Sequence, residues 1–228
     1  VFYTALKNNM IFMIMSVIFQ IGLSLIIANT LESKFMRKTQ NIFQSIYFIP
    51  SLLMVTVVGI AFKMICSPSI GIMNPLLELI GINTENIDLL GNAGSATFSI
   101  AAMSQWQYIG YTVVLFVVAI QNIPADLYEA ADIDGATAWQ KFKVVTYPAL
   151  KSTMVTVVSL RIIWVFYIYA EVYLLTKQVD VIGVYLYDMA FATHDFGKAA
   201  AISLLLFVLI FACVIMVRKV VLRSEKEE

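Results

Sequence analysis

Charged residues are scarce in this sequence. Asp, Glu, Lys and Arg make up 13% of the 228 residues, whereas a soluble domain carries roughly 25%. The 15 basic and 15 acidic residues balance each other, so no basic field indicates nucleic acid as a partner. Hydrophobic residues reach 61% of the chain. This composition predicts a membrane protein that is in contact with lipid.

Residues that could catalyse a reaction or bind a metal are also few. The sequence has one histidine, His194, and two cysteines, Cys66 and Cys213, that stand far apart. No cluster of His, Asp or Cys lies at the end of an apolar run, so we predict no catalytic site, no metal site and no membrane-embedded enzyme. On the topology argued below, the cysteines lie toward opposite sides of the bilayer, and we predict that they do not pair.

A nucleotide-binding motif is absent as well. A phosphate-binding loop needs Gly-x4-Gly-Lys-Ser/Thr, and the only Gly-Lys pair, at Gly197, has Ala192 where the first glycine should stand. We therefore expect no cofactor in this chain. Any energy from ATP would have to come from a partner.

Long apolar runs are what the sequence has instead. Five runs reach the length of about 20 residues that a helix needs to cross a bilayer. They lie at 10–29, 44–66, 96–120, 152–175 and 197–217. We predict an all-α, polytopic membrane helix bundle with five spans, forming a single domain over residues 1–228. The chain starts on Val rather than Met, outside the membrane and without a signal sequence, so we expect one further span before residue 1.

Basic residues predict the orientation of these spans, because loops rich in Lys and Arg stay in the cytoplasm. The loops 30–43 and 121–151 and the C-terminus are basic, whereas 67–95 has no Lys or Arg and 176–196 has one Lys. The N-terminus and the loop 67–95 are therefore predicted outside, and Pro75 to Ile80 is predicted to form a short helix along the outer face. The basic residues are Lys34, Arg37, Lys38, Lys141, Lys143, Lys151, Arg218, Lys219, Arg223 and Lys226.

The cytoplasmic segment 121–151 has an ordered pattern of helix signals. Pro124 suits a first helical turn, and Gly135 can take the left-handed conformation that ends a helix. Thr137 suits the N-cap of a second helix. We predict two short helices bent at Gly135, with Leu127, Trp139 and Phe142 as contact residues. The alternative is a solvated connection without a partner.

This segment resembles a known motif. Glu129-Ala130-Ala131, then Gly135, then Val145-x-Tyr147-Pro148 is similar to the signature of the membrane subunits of binding-protein-dependent ABC importers, with Val for Ile and Tyr for Leu. Ile123-Pro124-x-x-Leu127-Tyr128 resembles the sugar-uptake, maltose-type branch. The C-terminal part, with Ala190-Phe191 and Phe196-Gly197-x-Ala199, resembles the larger maltose-permease subunit.

The resemblance implies a type I ABC importer permease fold and a set of partners. These are a second homologous permease subunit, a cytosolic ATPase dimer that binds ATP and Mg, and an extracellular or periplasmic solute-binding protein. The expected location is the inner or plasma membrane of a bacterium. The residues implied in ATPase coupling are Glu129, Ala130, Ala131, Gly135, Trp139, Phe142 and Pro148.

Two polar and aromatic stripes at helical spacing mark the candidate substrate pathway. The first comprises Ser104, Gln107, Tyr108 and Tyr111, and the second comprises Arg161, Trp164, Val165 and Ile168. Such stripes also arise from packing alone, and that interpretation stays open. The positions resemble the substrate-contacting faces of the maltose-type permease, although Val165 and Ile168 replace asparagines of that family.

Ionisable residues within membrane spans are costly and are candidates for function. Lys63 and Glu171 lie near outer helix ends, where Lys63 can extend its side chain to the interface. Arg161 lies deep in its predicted span. It either pairs with an acid of the second permease subunit or lines the passage, in which case it favours an acidic oligosaccharide as cargo.

Two other functions remain as alternatives. An ion-coupled secondary transporter would be expected to carry a relay of intramembrane acids and inverted repeats, and neither is evident in the sequence. An ABC importer permease for a solute other than a sugar would share the coupling motif and differ in its pathway residues.

Overall fold

The computed structural model describes residues 2–33, 36, 38–84 and 88–223. Three of the basic residues used to predict the orientation, Lys34, Arg37 and Lys226, lie outside these ranges. The described residues are helical and contain no strand, as predicted. In chain order the helices are α1 (Phe2–Leu31), α2 (Gln40–Leu52), α3 (Val55–Ile65), α4 (Met73–Leu79), α5 (Ala93–Gln121), α6 (Ala125–Ile133), α7 (Ala138–Tyr167), α8 (Ala170–Leu175), α9 (Ile182–Ala192) and α10 (Phe196–Arg223).

Four helices, α1, α5, α7 and α10, are long and apolar enough to cross a membrane, and the bent pair α2–α3 makes a fifth candidate span. The five predicted spans are therefore confirmed in number. The third span, predicted at 96–120, agrees closely with α5 at Ala93–Gln121. The short helix predicted at Pro75 to Ile80 is α4.

The second span differs from its prediction because it is not straight. The axes of α2 and α3 meet at 93°. Pro50 lies inside α2, where it removes one backbone hydrogen bond, and the helix ends two residues later. Leu53 and Met54 are extended, and the Leu53 carbonyl accepts a hydrogen bond of 3.0 Å from Gln107 Nε2 on α5.

The prediction of the fourth span at 152–175 was wrong at both ends. Helix α7 starts at Ala138 and ends at Tyr167, and the extended residue Ile168 separates it from α8. Asn9 of α1 stabilises this break, since its Nδ2 donates to Val165 O at 2.7 Å and its Oδ1 accepts from Ile182 N at 2.9 Å. The hydrophobic run continues through the break, which is why the sequence alone predicted one helix.

Three clusters of buried side chains hold the bundle together. The first joins α1, α3, α5, α7 and α8, the second joins the C-terminal half of α5 to α1 and α7, and the third packs α1, α7 and α9 against α10. In the most apolar 18-residue stretch of α10, no residue is buried within the chain. The outer face of this helix is therefore open to contact with lipid or another subunit. The two cysteines are free, as predicted.

Candidate functional site: the polar segment and the internal cavity

The polar segment 122–146 connects α5 to α7 and begins with α6. At the end of α6 the backbone turns on Gly135, whose φ is +69°. Ala136 N donates to Ala131 O at 2.9 Å and Gly135 N donates to Asp132 O at 3.1 Å, the pair of hydrogen bonds that defines a Schellman C-cap. Gly135 therefore ends the helix as the sequence predicted.

The second helix of the segment begins at the predicted N-cap. Thr137 and Gln140 form a capping box, in which Thr137 N donates to Gln140 Oε1 at 2.7 Å and Gln140 N donates to Thr137 Oγ1 at 3.4 Å. The prediction of a separate short helix was wrong, because the helix continues into the fourth span. A π-helical stretch, Phe142–Thr146, precedes Pro148, and this wider turn accommodates the proline within a continuous helix.

The two helices of the segment are tied to each other and to α7. Lys141 pairs with Asp132 across the Gly135 turn, and the hydroxyls of Tyr128 and Thr146 lie 2.9 Å apart. The ring of Trp139 is 71% exposed and stacks on Phe142 at 5.5 Å between centroids. Exposed apolar side chains beside an ordered polar turn indicate a contact surface rather than a solvated connection.

The remaining candidate coupling residues of α6 lie at or near the surface. Glu129 and Ala130 are exposed on α6, and Ala131 is half-buried. Leu127 and Ile133 of the same helix are exposed as well. We call the exposed residues Leu127, Glu129, Ile133 and Trp139 the coupling face, after the role that the sequence resemblance implies for Glu129 and Trp139.

A cavity of about 400 Å³ that opens at the surface of the chain lies between α1, α2, α5 and α7. We call it the central cavity. Four predicted pathway residues line it: Tyr108, Tyr111, Arg161 and Trp164. A second cavity of about 220 Å³, which we call the outer cavity, is lined by Tyr108 and Trp164 again and by Ile168 and Glu171 near the α7–α8 break. The two cavities therefore share an aromatic pair.

Arg161 is buried at the edge of the central cavity. Its Nη2 donates to Ser104 Oγ at 3.2 Å, and its Cζ lies 5.6 Å from the centroid of Tyr108 and 5.3 Å from that of Trp164. These distances are within the range of cation–π attraction. Among the described residues, no carboxylate forms an ion pair with Arg161 and its Nε has no hydrogen-bond partner. The guanidinium thus keeps donor capacity for a further acceptor.

The structure does not bring all eight predicted pathway residues to a cavity wall. Ser104 lies behind Arg161 as its acceptor. Gln107 is buried and supports the bend between α2 and α3. Val165 packs in the first core cluster, and its carbonyl accepts from Asn9. Lys63 is exposed in the last turn of α3 and Glu171 is buried in the first turn of α8.

Gln20 is a cavity residue that the sequence analysis missed. It lies on the π-helical stretch Ser16–Ile21 of α1 and lines the central cavity. Its Nε2 donates to Thr112 Oγ1 at 2.7 Å and to Tyr108 O at 3.1 Å, while its Oε1 has no partner among the described residues. The signal was available, since Ser16, Gln20 and Ser24 recur every four residues along one face of an apolar span.

A bundle of membrane-length helices around a polar and aromatic cavity, with an ordered contact surface beyond the spans, is the architecture of a membrane permease. The family described as binding-protein-dependent transport system inner membrane component matches residues 20–226. The chain belongs to this family, and the predicted resemblance to permeases of binding-protein-dependent importers is confirmed.

Individual relatives agree with this membership. The inner membrane ABC transporter permease protein YcjO of Escherichia coli K12 is 44% identical over 174 residues, which are 76% of this chain and 58% of YcjO. The chain thus spans less than two thirds of that relative. AraP of Halalkalibacterium halodurans, an arabinooligosaccharides transport system permease protein, is 34% identical over 218 residues, 92% of this chain and 68% of AraP.

A solved structure supports the fold. A bacterial ABC transporter involved in the import of the acidic polysaccharide alginate contains a chain that superposes with a TM-score of 0.85 at 23% sequence identity. The match covers 97% of this chain and 79% of that one. The predicted type I ABC importer permease fold is therefore confirmed.

Proposed function

We propose that this chain is a membrane subunit of an ATP-driven importer and forms half of the passage for a saccharide, with acidic oligosaccharides as the favoured cargo. The observation that carries the cargo class is the central cavity. It combines flat aromatic rings, Tyr108 and Trp164, with the buried guanidinium of Arg161 and the unpaired carbonyl oxygen of Gln20. Rings stack on the faces of sugars, and the polar groups bind their hydroxyls and carboxylates.

The relatives support a sugar over another solute. The name of AraP assigns it to the transport of arabinooligosaccharides, and it matches this chain across both the coupling face and the cavity-lining helices. Family membership also removes the ion-coupled secondary transporter as an alternative. A permease for a non-sugar solute remains the second candidate.

The guanidinium of Arg161 favours an acidic cargo on physical grounds. A buried cation is costly unless it is paired. The direct contacts of this one are a neutral hydroxyl and two ring faces, and the buried Glu171 of α8 acts on it electrostatically without forming an ion pair. A carboxylate can accept two parallel hydrogen bonds from a guanidinium, which a neutral hydroxyl cannot do. A sugar carboxylate entering the central cavity would supply the direct hydrogen-bonded pairing that Glu171 does not make.

The proposed partners follow from the two ends of the molecule. A cytosolic ATPase dimer would bind the coupling face, with Glu129 opposite a basic group and Trp139 and Phe142 in an apolar groove. A second permease subunit would complete the passage, and an external binding protein would deliver the cargo. The proposed location is a bacterial inner or plasma membrane with the coupling face in the cytoplasm.

The test of this proposal compares Arg161→Met and Arg161→Lys in the importer purified with its partner subunits. We expect Arg161→Met to assemble normally and to lower uptake by about 10- to 150-fold, because a hydrogen bond to a charged group is worth about 1.5–3 kcal/mol. Arg161→Lys keeps the charge and should lose less. Complex yield and uptake of oligogalacturonides into proteoliposomes are measured together.

Lys63→Met is the matched control, because Lys63 is a membrane-helix cation that is exposed and lines neither cavity. It should leave uptake unchanged. A fall in complex yield with Arg161→Met would instead make Arg161 the partner of an acid on the second permease subunit. Normal uptake with normal yield would remove Arg161 from both roles.

A further inference from the structure

Four aromatic rings contact one another on the side of the bundle formed by α8 and α9. Tyr169 stacks on Tyr187 at 4.7 Å between ring centroids, and Tyr173 lies 5.3 Å from Tyr169 and 5.7 Å from Tyr187. Phe191 extends this group at 5.0 Å from Tyr187. Tyr173, Tyr187 and Phe191 are exposed, and Tyr169 is half-buried. We call this group the aromatic row. It is outside the set of pathway residues predicted from the stripes.

The fold fixes the position of this row. Helix α9 packs closely on the α7–α8 break, because a Cβ at Gly183 would meet Ile168 O at 2.3 Å. The first residue of α9, Ile182, is held by the hydrogen bond to Asn9. Tyr187 stands four residues after Gly183, one helical turn further along, and this places it against Tyr169 at the start of α8. The stacking therefore follows from specific backbone contacts.

The row continues the walls of the two cavities. Tyr169 lines the outer cavity together with Tyr108 and Trp164, and these two residues also line the central cavity. The rings of Tyr108 and Trp164 are in contact, with 4.1 Å between centroids. Aromatic faces thus run from the exposed Phe191 to Arg161 along the end of the molecule opposite the coupling face.

The size of the cavities requires such an extension for a long cargo. At about 400 Å³, the central cavity is near the lower end of the roughly 300–1,000 Å³ that small-molecule sites occupy. The outer cavity adds about 220 Å³. An oligosaccharide of more than a few units cannot be enclosed in this chain's share of the passage, so its remaining units must lie against the surface beside the outer cavity.

We propose that the aromatic row is a saccharide-binding subsite that holds the trailing units of an oligosaccharide while its leading units occupy the two cavities. This inference rests on the proposed function. The exposed rings of Tyr173, Tyr187 and Phe191 offer surface to successive sugar rings, and the tyrosine hydroxyls serve as hydrogen-bond partners at their edges. The row is thus a determinant of cargo length, separate from the Arg161 contact that determines cargo charge.

The composition of the row differs from the surfaces that suit lipid or another apolar helix. The exposed face of α10 carries aliphatic side chains and phenylalanines, namely Leu204, Leu205, Phe207, Val208 and Phe211. Three of the four rings in the row carry a hydroxyl. Tyrosines also anchor helices at membrane interfaces, but the rings of this row stack on one another and lead into a cavity, which an anchoring role does not require.

The experiment measures uptake by the complete importer in proteoliposomes with two homologous series, arabinobiose to arabinohexaose and the oligogalacturonides of the same lengths. The binding protein is loaded and saturating, so its own affinity for cargo does not enter. The variants are Tyr187→Leu and Phe191→Leu, which keep apolar volume and lose the flat face. Tyr187→Phe keeps the ring, and Phe211→Leu on α10 is the matched control.

We expect each leucine variant to lower the uptake rate of the longest oligosaccharides by about 2- to 10-fold, the equivalent of one aromatic contact of about 0.5–1.5 kcal/mol. The disaccharides should be unaffected, Tyr187→Phe should retain most of the activity, and Phe211→Leu should behave as wild type. A loss that is equal at every length, or no loss at all, overturns the subsite.

Two further outcomes distinguish a failure of the aromatic-row subsite from a failure of the proposed cargo class. A lower yield of the complex with the leucine variants makes the row a contact with the second permease subunit and overturns the subsite. A wild-type importer that carries no member of either series overturns the proposed cargo class, and the subsite with it. A length-dependent loss in the leucine variants supports both.

Discussion

Asn9 is the residue on which the geometry of the break between α7 and α8 depends most directly. It is completely buried, and both ends of its amide are used, one toward Val165 O and the other toward Ile182 N. The first of these groups is a carbonyl near the end of α7 and the second is the N–H that opens α9. Helix termini leave such groups without partners inside their own helix. One side chain on α1 therefore supplies hydrogen bonds to the terminal backbone groups of two other helices.

We predict that Asn9→Ala lowers the thermal stability of the purified chain, because it leaves the buried Ile182 N–H unpaired and leaves Val165 O with only the long 3.5 Å hydrogen bond from Ile168 N. An unpaired buried polar group costs about 1–3 kcal/mol. Asn8→Ala is the matched control: Asn8 Nδ2 makes a single hydrogen bond of 2.8 Å to Asp180 O, which is only partly buried. Thermal unfolding in detergent should show a clearly larger loss for Asn9→Ala, and equal losses would contradict this role.

At the same scale, single residues explain why part of the cavity was predictable and part was not. Tyr108, Tyr111, Arg161 and Trp164 stand out in an apolar sequence, and helical spacing assigns them to shared faces. Gln107 stands out equally, yet it is used to hold the Leu53 carbonyl. Which of two polar residues meets a cavity and which meets a backbone carbonyl depends on the bend of another helix.

Among the elements, the turn between α6 and α7 is specified almost entirely by local sequence. The Schellman cap at Gly135 and the capping box of Thr137 and Gln140 each involve residues less than six positions apart. Both were predictable from the sequence for that reason. A Cβ at Gly135 would have no neighbour within 4 Å, so the requirement for glycine comes from its positive φ and not from lack of space.

We predict that Gly135→Val weakens binding of the ATPase while the chain still inserts and still copurifies with its membrane partner. A left-handed conformation costs an L-residue about 1–2 kcal/mol, more when the side chain is β-branched, and relief of that strain would distort the coupling face. Gly135→Asn should be tolerated better, because asparagine visits this conformation more readily. ATPase copurification and uptake are measured side by side.

Gly81 provides the matched control for this experiment. Its φ is +85°, and a Cβ there also has no neighbour within 4 Å. It follows α4 in the segment predicted to lie outside the membrane. Gly81→Val introduces the same kind of strain away from the coupling face and should leave ATPase binding intact. Equal loss in the two variants, or full binding and uptake with Gly135→Val, would remove the coupling role.

Helices whose ends depend on distant contacts were predicted less well. The limits of α5 follow from its own sequence, and the prediction was within three residues at each end. The end of α7 depends on Asn9 and on the approach of α9 through Gly183, neither of which is visible in the hydrophobic run itself. Hydrophobicity predicts that a segment is membrane-embedded, but it carries no information on where the helix breaks.

For the molecule as a whole, the orientation in the membrane is still a prediction. The basic residues Lys141 and Lys143 lie in the polar segment at one end of α7. The segment 67–95, which contains α4, has no Lys or Arg. We expect the first in the cytoplasm and the second outside.

The check uses single cysteines at Ser69 and Lys143, both exposed, in a background where Cys66 and Cys213 are replaced by serine. An impermeant thiol reagent added to intact cells should label Ser69→Cys and should label Lys143→Cys only after the membrane is permeabilised. The reverse pattern would invert the orientation, and labelling of both from outside would contradict the topology.

The continuity of α7 has a mechanical consequence. Trp139 on the coupling face and Arg161 in the central cavity lie on the same helix, about 33 Å apart at 1.5 Å per residue. A tilt of this helix by about 10° about its cavity end would move Trp139 by roughly 6 Å. The π-helical stretch Phe142–Thr146 lies between these two residues, so a bend at this stretch would reduce the displacement that is transmitted along the helix.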